Sequence, residues 1–293
     1  MKTVCLLMIL LSGLAAAQDL AGVVDLHIHV APDVAPRSVD ALEAARQARD
    51  AGLRAIVVKN HYEATVSSAY LAAKNVPGIE VFGGIALNLP VGGVNPAAVS
   101  RMARVAGGRG RIVWMPTFDA ENQVRYSKEN RPFAPVSRGG KLLPEVLEVL
   151  GLIKKHGLVL ATGHSSAAEV LLLVKEARRR GIERILITHA SGPPVAMSTA
   201  QMKEAAALGA YIEFTYINLI GARPDFTFEQ YASAIRAVGP ERSILTSDMG
   251  QAQNPLPVAG MRAYLEGMRK QGFTADELRR MTVVNPAYLL DLR

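Results

Sequence analysis

Five histidines and one aspartate are the residues of this sequence whose types and spacing can do chemistry. His27 and His29 lie in Asp25-Leu26-His27-Ile28-His29, and His61 follows Lys59-Asn60. His164 closes Ala161-Thr162-Gly163-His164, His189 closes Ile187-Thr188-His189, and Asp248 closes Leu245-Thr246-Ser247-Asp248. Each of them ends a short run rich in apolar and β-branched residues. On a strand, side chains two apart point to one face, so His27 and His29 enter the same space. Neutral imidazoles with a carboxylate, and no thiolate, are the donor set of a divalent cation. Zn²⁺ fits it best, with Mn²⁺, Fe²⁺ or Co²⁺ as alternatives. The remaining histidine, His156 in Lys154-Lys155-His156-Gly157, reads as a cation at a helix C-terminus before a capping glycine.

The elements that must carry these groups follow a regular alternation. Strand-like runs fall at 23–30, 54–60, 80–87, 111–118, 158–163, 184–188, 210–215 and 243–247. Helical spacing of apolar residues falls at 38–51, 66–74, 96–106, 144–156, 167–180, 199–208, 228–238 and 257–270, and a last helix-like segment covers 275–290. Strands alternating with helices imply parallel pairing and right-handed crossovers. Eight such units in about 250 residues predict a (β/α)₈ TIM barrel, with the active site at the C-terminal ends of the strands. An open doubly wound sheet is the competing arrangement, but no glycine-rich dinucleotide fingerprint follows the first strand. The polar stretch 119–141 is long for a βα loop, which predicts a lid or specificity insertion.

The ligand order resembles that of the amidohydrolase superfamily of metal-dependent hydrolases: His-x-His on strand one, His on five, His on six, Asp on eight. The Asn285-Pro286-Ala287 start of the last helix is similar as well, and the resemblance spans essentially the whole chain after residue 17. It implies that His27, His29 and Asp248 hold one metal. His164 and His189 then hold a second, or act as one ligand and one hydrogen-bond donor, so the count is one or two. One feature departs from the pattern. Binuclear relatives often bridge their metals with a carboxylated Lys or a Glu ending the fourth strand, and here that strand ends Trp114-Met115-Pro116-Thr117-Phe118. Lys59 is the candidate either for a bridge from another strand or, with more weight, for holding an anionic substrate group.

The chemistry implied is hydrolysis of an amide, lactone, ester or phosphoester bond in a small molecule. A divalent ion lowers the pKa of its water to about 7. Asp248 takes the proton, and His189 or the metal stabilises the oxyanion. Lys59, His61, Asn88 and Gln251 are candidate substrate contacts, while Glu213, Thr188 and Ser247 are placed to orient ligands. Two other functions compete: a metal-dependent, non-hydrolytic decarboxylase on the same barrel, and an exported metal- or ligand-binding barrel without catalysis.

Composition agrees with a globular enzyme. Of 293 residues, 49% are apolar and 20% charged, and the single Cys excludes a disulfide framework or a cysteine-based zinc ribbon. The net charge of +7 is scattered, with no basic stripe interleaved with aromatics, so no nucleic-acid partner is expected. Met1-Lys2, the apolar run 4–16 and Ala15-Ala16-Ala17 read as a signal peptide over residues 1–17, followed by one barrel domain over 18–293. The expectation is an exported protein, periplasmic or secreted. After cleavage it would have no membrane association, a small molecule as its substrate, and room for homo-oligomer formation.

Overall fold

The alternating runs become eight parallel strands wrapped by helices in the computed structural model, which describes residues 20–292. The expected signal segment 1–17 lies outside those residues. The barrel strands are β1 (Val24–Ile28), β2 (Ala55–Val58), β3 (Glu80–Ala86), β4 (Gly110–Trp114), β5 (Val159–Ala161), β6 (Ile185–Ile187), β7 (Tyr211–Thr215) and β8 (Ser243–Thr246). They pair in that order, all parallel. Closure between β8 and β1 comes from Asp248 N donating to His27 O at 2.9 Å and His29 N donating to Met249 O at 2.8 Å. The predicted TIM barrel is therefore the fold.

The register of β1 decides where its histidines point. Val24 and Asp25 face Ala55 and Ile56 of β2, but Ile28 faces Val58, so β1 carries one extra residue between Asp25 and Ile28. A bulge of this kind re-aims the side chains that follow it. Without it, strict alternation from inward-facing Val24 would send His27 and His29 outward with Asp25. The bulge turns both imidazoles into the barrel.

Most of the helices fall where the apolar spacing puts them: α1 (Ala41–Asp50), α2 (Val66–Asn75), α3 (Pro96–Ala103), α4 (Glu121–Tyr126), α5 (Pro144–His156), α6 (Ala167–Arg179), α7 (Thr199–Ala207), α8 (Phe228–Val238) and α9 (Pro257–Lys270). Capping boxes start α1 (Asp40 with Glu43), α6 (Ser166 with Glu169), α7 (Ser198 with Gln201) and α8 (Thr227 with Gln230). Their buried faces and the outward faces of the strands form one apolar layer. A second apolar cluster fills the barrel interior, with Leu26, Val57, Ile112 and Leu186 closed from below by Leu289 and Leu290.

Two segments differ from their sequence reading. The stretch 119–141, read as a long loop, holds α4 and the start of a short hairpin, Ser137–Arg138 with Lys141–Leu142, turning on Gly139 and Gly140. Both glycines have positive φ, 56° and 75°, as a tight hairpin turn needs. The last helix is broken into α10 (Ala275–Arg279), a π-helical turn (Arg280–Val284) and α11 (Asn285–Leu290). Asn285 Nδ2 donates to Pro240 O and Ser243 O, both at 2.8 Å, pinning this segment under β8. Among the described residues, no helix is long and apolar enough to cross a membrane.

Candidate metal centre

Five imidazoles form a closed ring inside the C-terminal end of the barrel. Neighbouring ring centroids are 4.9 Å apart for His61–His29, 5.3 Å for His29–His27, 5.2 Å for His27–His189 and 5.3 Å for His189–His164; the 6.4 Å step from His164 to His61 closes the circle. Asp248 reaches into it from the end of β8. Its Oδ1 lies 3.0 Å from His29 Nε2 and 3.2 Å from His27 Nε2, and its Oδ2 lies 3.0 Å from His189 Nε2. Four of the five expected ligands thus meet at one carboxylate. The fifth, His164, stands beside His189 and does not touch Asp248.

Backbone strain places two of these groups. His189 and Asp248 have φ of 49° and 52°, a left-handed conformation uncommon for residues with a β-carbon. Both follow the ends of their strands, and the turn swings each side chain toward the barrel axis. Gly163 performs the same service for His164. Its φ is 60°, and a Cβ there would stand 2.2 Å from Met115 O and 2.4 Å from Pro116 O, so only glycine lets β5 approach the β4 loop.

Beneath the ring, Glu213 orients it. Its Oε1 lies 3.1 Å from His27 Nδ1 and accepts from Thr246 Oγ1 at 2.9 Å, and its Oε2 accepts from His189 N at 3.1 Å. Burial pushes the Glu213 carboxyl up, but the His27 contact outweighs it and leaves the pKa below the ordinary value. An ionised carboxylate can only accept, so the proton on this contact belongs to His27 Nδ1 and Nε2 is left as an electron pair. That pair faces Asp248 Oδ1. Burial also raises the Asp248 pKa, yet its contacts with His27, His189 and His29, including hydrogen bonds to His189 and His29, leave it well below the usual carboxylate range.

Burial favours the neutral form of four of the imidazoles. His29 is lowered to about 3, His27 is lowered, and His61 and His164 fall well below 6.5, in each case through desolvation first. His164 Nε2 is buried with no hydrogen-bond partner among the described residues, and His189 Nε2 meets only the Asp248 carboxylate. Orphaned ring nitrogens next to a carboxylate are what a cation site presents before the cation is bound. The donor set of nitrogen and oxygen fits a divalent metal, and two ligand groups lie close enough to hold one: His27, His29 and Asp248, and His27, His189 and Glu213. The first faces the cavity, while in the second Glu213 is already committed to His27 Nδ1.

The remaining sequence candidates fall on both sides of the cavity wall. Lys59 is buried, with Nζ 2.9 Å from His27 Nε2 and 5.5 Å from the centre of the Trp114 ring. Burial lowers its pKa to about 8, against the pull of Asp248 and Glu213. His61 stacks on Phe118, with ring centroids 4.0 Å apart, and its Nδ1 lies 2.9 Å from Thr117 Oγ1. Gln251 borders the cavity and donates from Nε2 to Asp248 O at 2.9 Å. Asn88 does not reach the cavity. Its Nδ2 donates to His61 O and Thr117 Oγ1, at 2.6 and 2.7 Å, and its Oδ1 accepts from Thr117 N and Asp119 N, at 2.8 and 3.0 Å. With that amide fully engaged, Asn88 holds His61 and the β4 loop in place.

The cavity above the ring has a volume of about 440 Å³, enough for a small molecule. Arg37 and Gln123 line it without having been singled out from the sequence. Arg37 is buried against Asp33, with its Nε 2.8 Å from Oδ2. Gln123 Oε1 lies 2.7 Å from His164 Nδ1. Neither belongs to a strand end or a recognisable spacing, so only the folded loops reveal them. A larger open groove of about 560 Å³ lies outside the mouth, between α4, the hairpin and α6, and carries none of the imidazoles.

Comparison with known proteins fits this geometry. The profile of a family described as one of unknown function (DUF6282) matches residues 22–213. No curated protein matches the sequence. Among solved structures, an amidohydrolase from Pseudomonas aeruginosa superposes with a TM-score of 0.65 at 14% identity, covering 94% of this chain and 97% of that one. An organophosphorus hydrolase from Deinococcus radiodurans gives 0.60 at 18% identity, covering 94% and 93%. A mutant of a PTE-like lactonase from the same organism gives 0.60 at 18%, covering 94% and 97%. At these identities the likeness establishes a shared fold.

Proposed function

The chain belongs to the DUF6282 family, whose profile spans well over half of it, and from its own site we propose a metal-dependent hydrolase of the amidohydrolase type. One observation carries the reading. Glu213 turns the His27 Nε2 electron pair toward Asp248 Oδ1, 3.2 Å away, with His29 Nε2 3.0 Å from the same oxygen. These three ligand atoms lie within 4.8 Å of one another, close enough to share one divalent cation, and the Lys59 ammonium stands beside them at 2.9 Å from His27 Nε2. The fold shared with an amidohydrolase, an organophosphorus hydrolase and a PTE-like lactonase supports the reaction class.

A divalent cation held by His27, His29 and Asp248, with His164 and His189 as further ligands, would supply an acidified water and polarise the scissile bond. Zn²⁺ is the metal we propose, one or two per chain. Asp248 receives the proton of the attacking water, because it is ionised and lies at the centre of the ring. It then returns that proton to the leaving group. Where His189 is not a ligand, its ring, on the Oδ2 side of Asp248, is placed to steady the developing oxyanion. Lys59 holds an anionic or carbonyl oxygen of the substrate at the cavity floor, while His61 and Gln251 form its walls. Residues 119–141, through Gln123, close one side of the cavity. We further propose that residues 1–17 direct export and are removed.

The test is a metal analysis of the purified protein followed by a panel of lactone, ester, amide and phosphoester substrates, before and after chelation. Bound metal and chelator-sensitive turnover on at least one bond class are expected. Metal-free protein with unchanged turnover would overturn the reading.

A further inference from the structure

His164 is held almost entirely by the segment that follows β4. Its N–H donates to Pro116 O at 2.9 Å, and its carbonyl accepts from Asn122 Nδ2 at 3.1 Å. The same Asn122 nitrogen donates to Pro194 O at 2.9 Å, tying β5 to the β6 loop through α4. Phe118 meets the His164 ring edge-on, with centroids 5.8 Å apart at 83°. The polar contact to the ring is Gln123 Oε1 to His164 Nδ1, 2.7 Å, with the His189 and His61 rings on its other sides.

The Gln123 carbonyl oxygen faces the ring, while Nε2 at the other end of the amide meets the Ser127 hydroxyl at 2.9 Å. A carbonyl can only accept. The hydrogen on that contact is the ring's own. His164 Nε2, buried and without a partner, then points into the cavity as an electron pair rather than as an N–H. His164 is thus placed to bind a cation and not to donate a hydrogen bond to substrate.

We propose that Gln123 is a positioning residue that fixes His164 in its Nδ1–H tautomer and so presents Nε2 to a divalent metal. The proposal deepens the metal-hydrolase reading of this site and rests on it for the identity of the ligand. It also gives the 119–141 insertion a role beyond covering the cavity, because the first turn of α4 supplies both the backbone clamp (Asn122) and the tautomer lock (Gln123). His27 is locked in the same sense by a charged partner, Glu213. His164 has a neutral one, which fixes the proton without adding negative charge beside the ring.

Long-range ¹H–¹⁵N correlation of the histidine rings tests this in metal-free protein at neutral pH, with His164→Gln used to assign the signal. The wild type should show His164 protonated at Nδ1. Gln123→Leu should move that proton wholly or partly to Nε2, and Gln123→Glu, which keeps an acceptor, should restore the wild-type pattern. A Zn²⁺ titration of the same proteins should show affinity reduced about 10- to 100-fold in Gln123→Leu and retained in Gln123→Glu. An Nε2–H ring in the wild type, or a leucine variant indistinguishable in both measurements, would overturn the proposal. Should the leucine variant not fold, the wild-type spectrum decides by itself. A wild-type ring protonated at Nδ1 in a protein that binds no Zn²⁺ would leave the tautomer lock standing and remove the metal reading, so the two can fail separately.

Discussion

The two ends of the barrel interior are built on the same strands and hold opposite chemistry. Toward the N-terminal end the filling is dry: Leu26, Val57, Ile112 and Leu186, sealed by Leu289 and Leu290. Toward the C-terminal end it is five imidazoles, Lys59, Glu213 and Asp248, nearly all buried. Trp114 forms the boundary, with the Lys59 ammonium 5.5 Å from its ring centre on one side and the apolar cluster on the other. The comparison teaches a division of labour. One end contributes stability through burial of apolar area, and the other gives some of it up by holding charges out of water and two residues in left-handed conformations.

Substitutions can break that division or sharpen it. The largest effect belongs to the upper end: Asp248→Asn should leave a folded protein with kcat reduced by about 10²- to 10⁴-fold, measured on whichever substrate the panel reveals. Retained kcat would mean that another group takes the proton. At the lower end, Ile112→Ala should cost about 2–5 kcal/mol in denaturant unfolding, with turnover of the folded fraction nearly unchanged. A large kcat loss there would contradict the separation of the two ends.

Metal removal comes next. Because a ligand bound only by the native state stabilises it, Zn²⁺ at a hundred times its Kd should add about 2.7 kcal/mol, read as a lower thermal midpoint after chelation. Lys59→Met should act on stability and binding together. It removes the ammonium that the buried Asp248 and Glu213 carboxylates attract, so stability should fall by about 3–5 kcal/mol, while KM rises for an anionic substrate. A destabilised variant with unchanged KM would show that Lys59 is there for the fold. The smallest effect is expected at the exposed Thr274, which caps α10 with Glu277: Thr274→Ala should cost about 1 kcal/mol and leave kinetics alone.

Much of this division was legible in the residues. Five of the strand-end groups declared themselves because His and Asp interrupt apolar runs at the same place in successive βα units, and the barrel brings such ends together. The helices were legible wherever apolar spacing or a capping box marked them. What stayed hidden depended on three-dimensional registry. The bulge in β1 leaves no compositional trace, though it decides which way His27 and His29 face. Helix α4, Glu-Asn-Gln-Val-Arg-Tyr, is too short and polar to show periodicity, so Gln123 was invisible as a partner of His164. Asn88 sat at a strand end like the ligands, yet its amide turns to the loop backbone and not to the cavity. The π-helical turn at 280–284 broke a segment whose local sequence favours one helix, because Asn285 is held from outside by Pro240 and Ser243.

Anomalous diffraction at the zinc edge, from crystals grown with Zn²⁺, tests the account most directly. It predicts a peak inside the ring of imidazoles, within about 2.0–2.2 Å of His27 Nε2, His29 Nε2 and an Asp248 oxygen. Well-ordered crystals with no peak there, or with zinc bound only outside the barrel mouth, would contradict it.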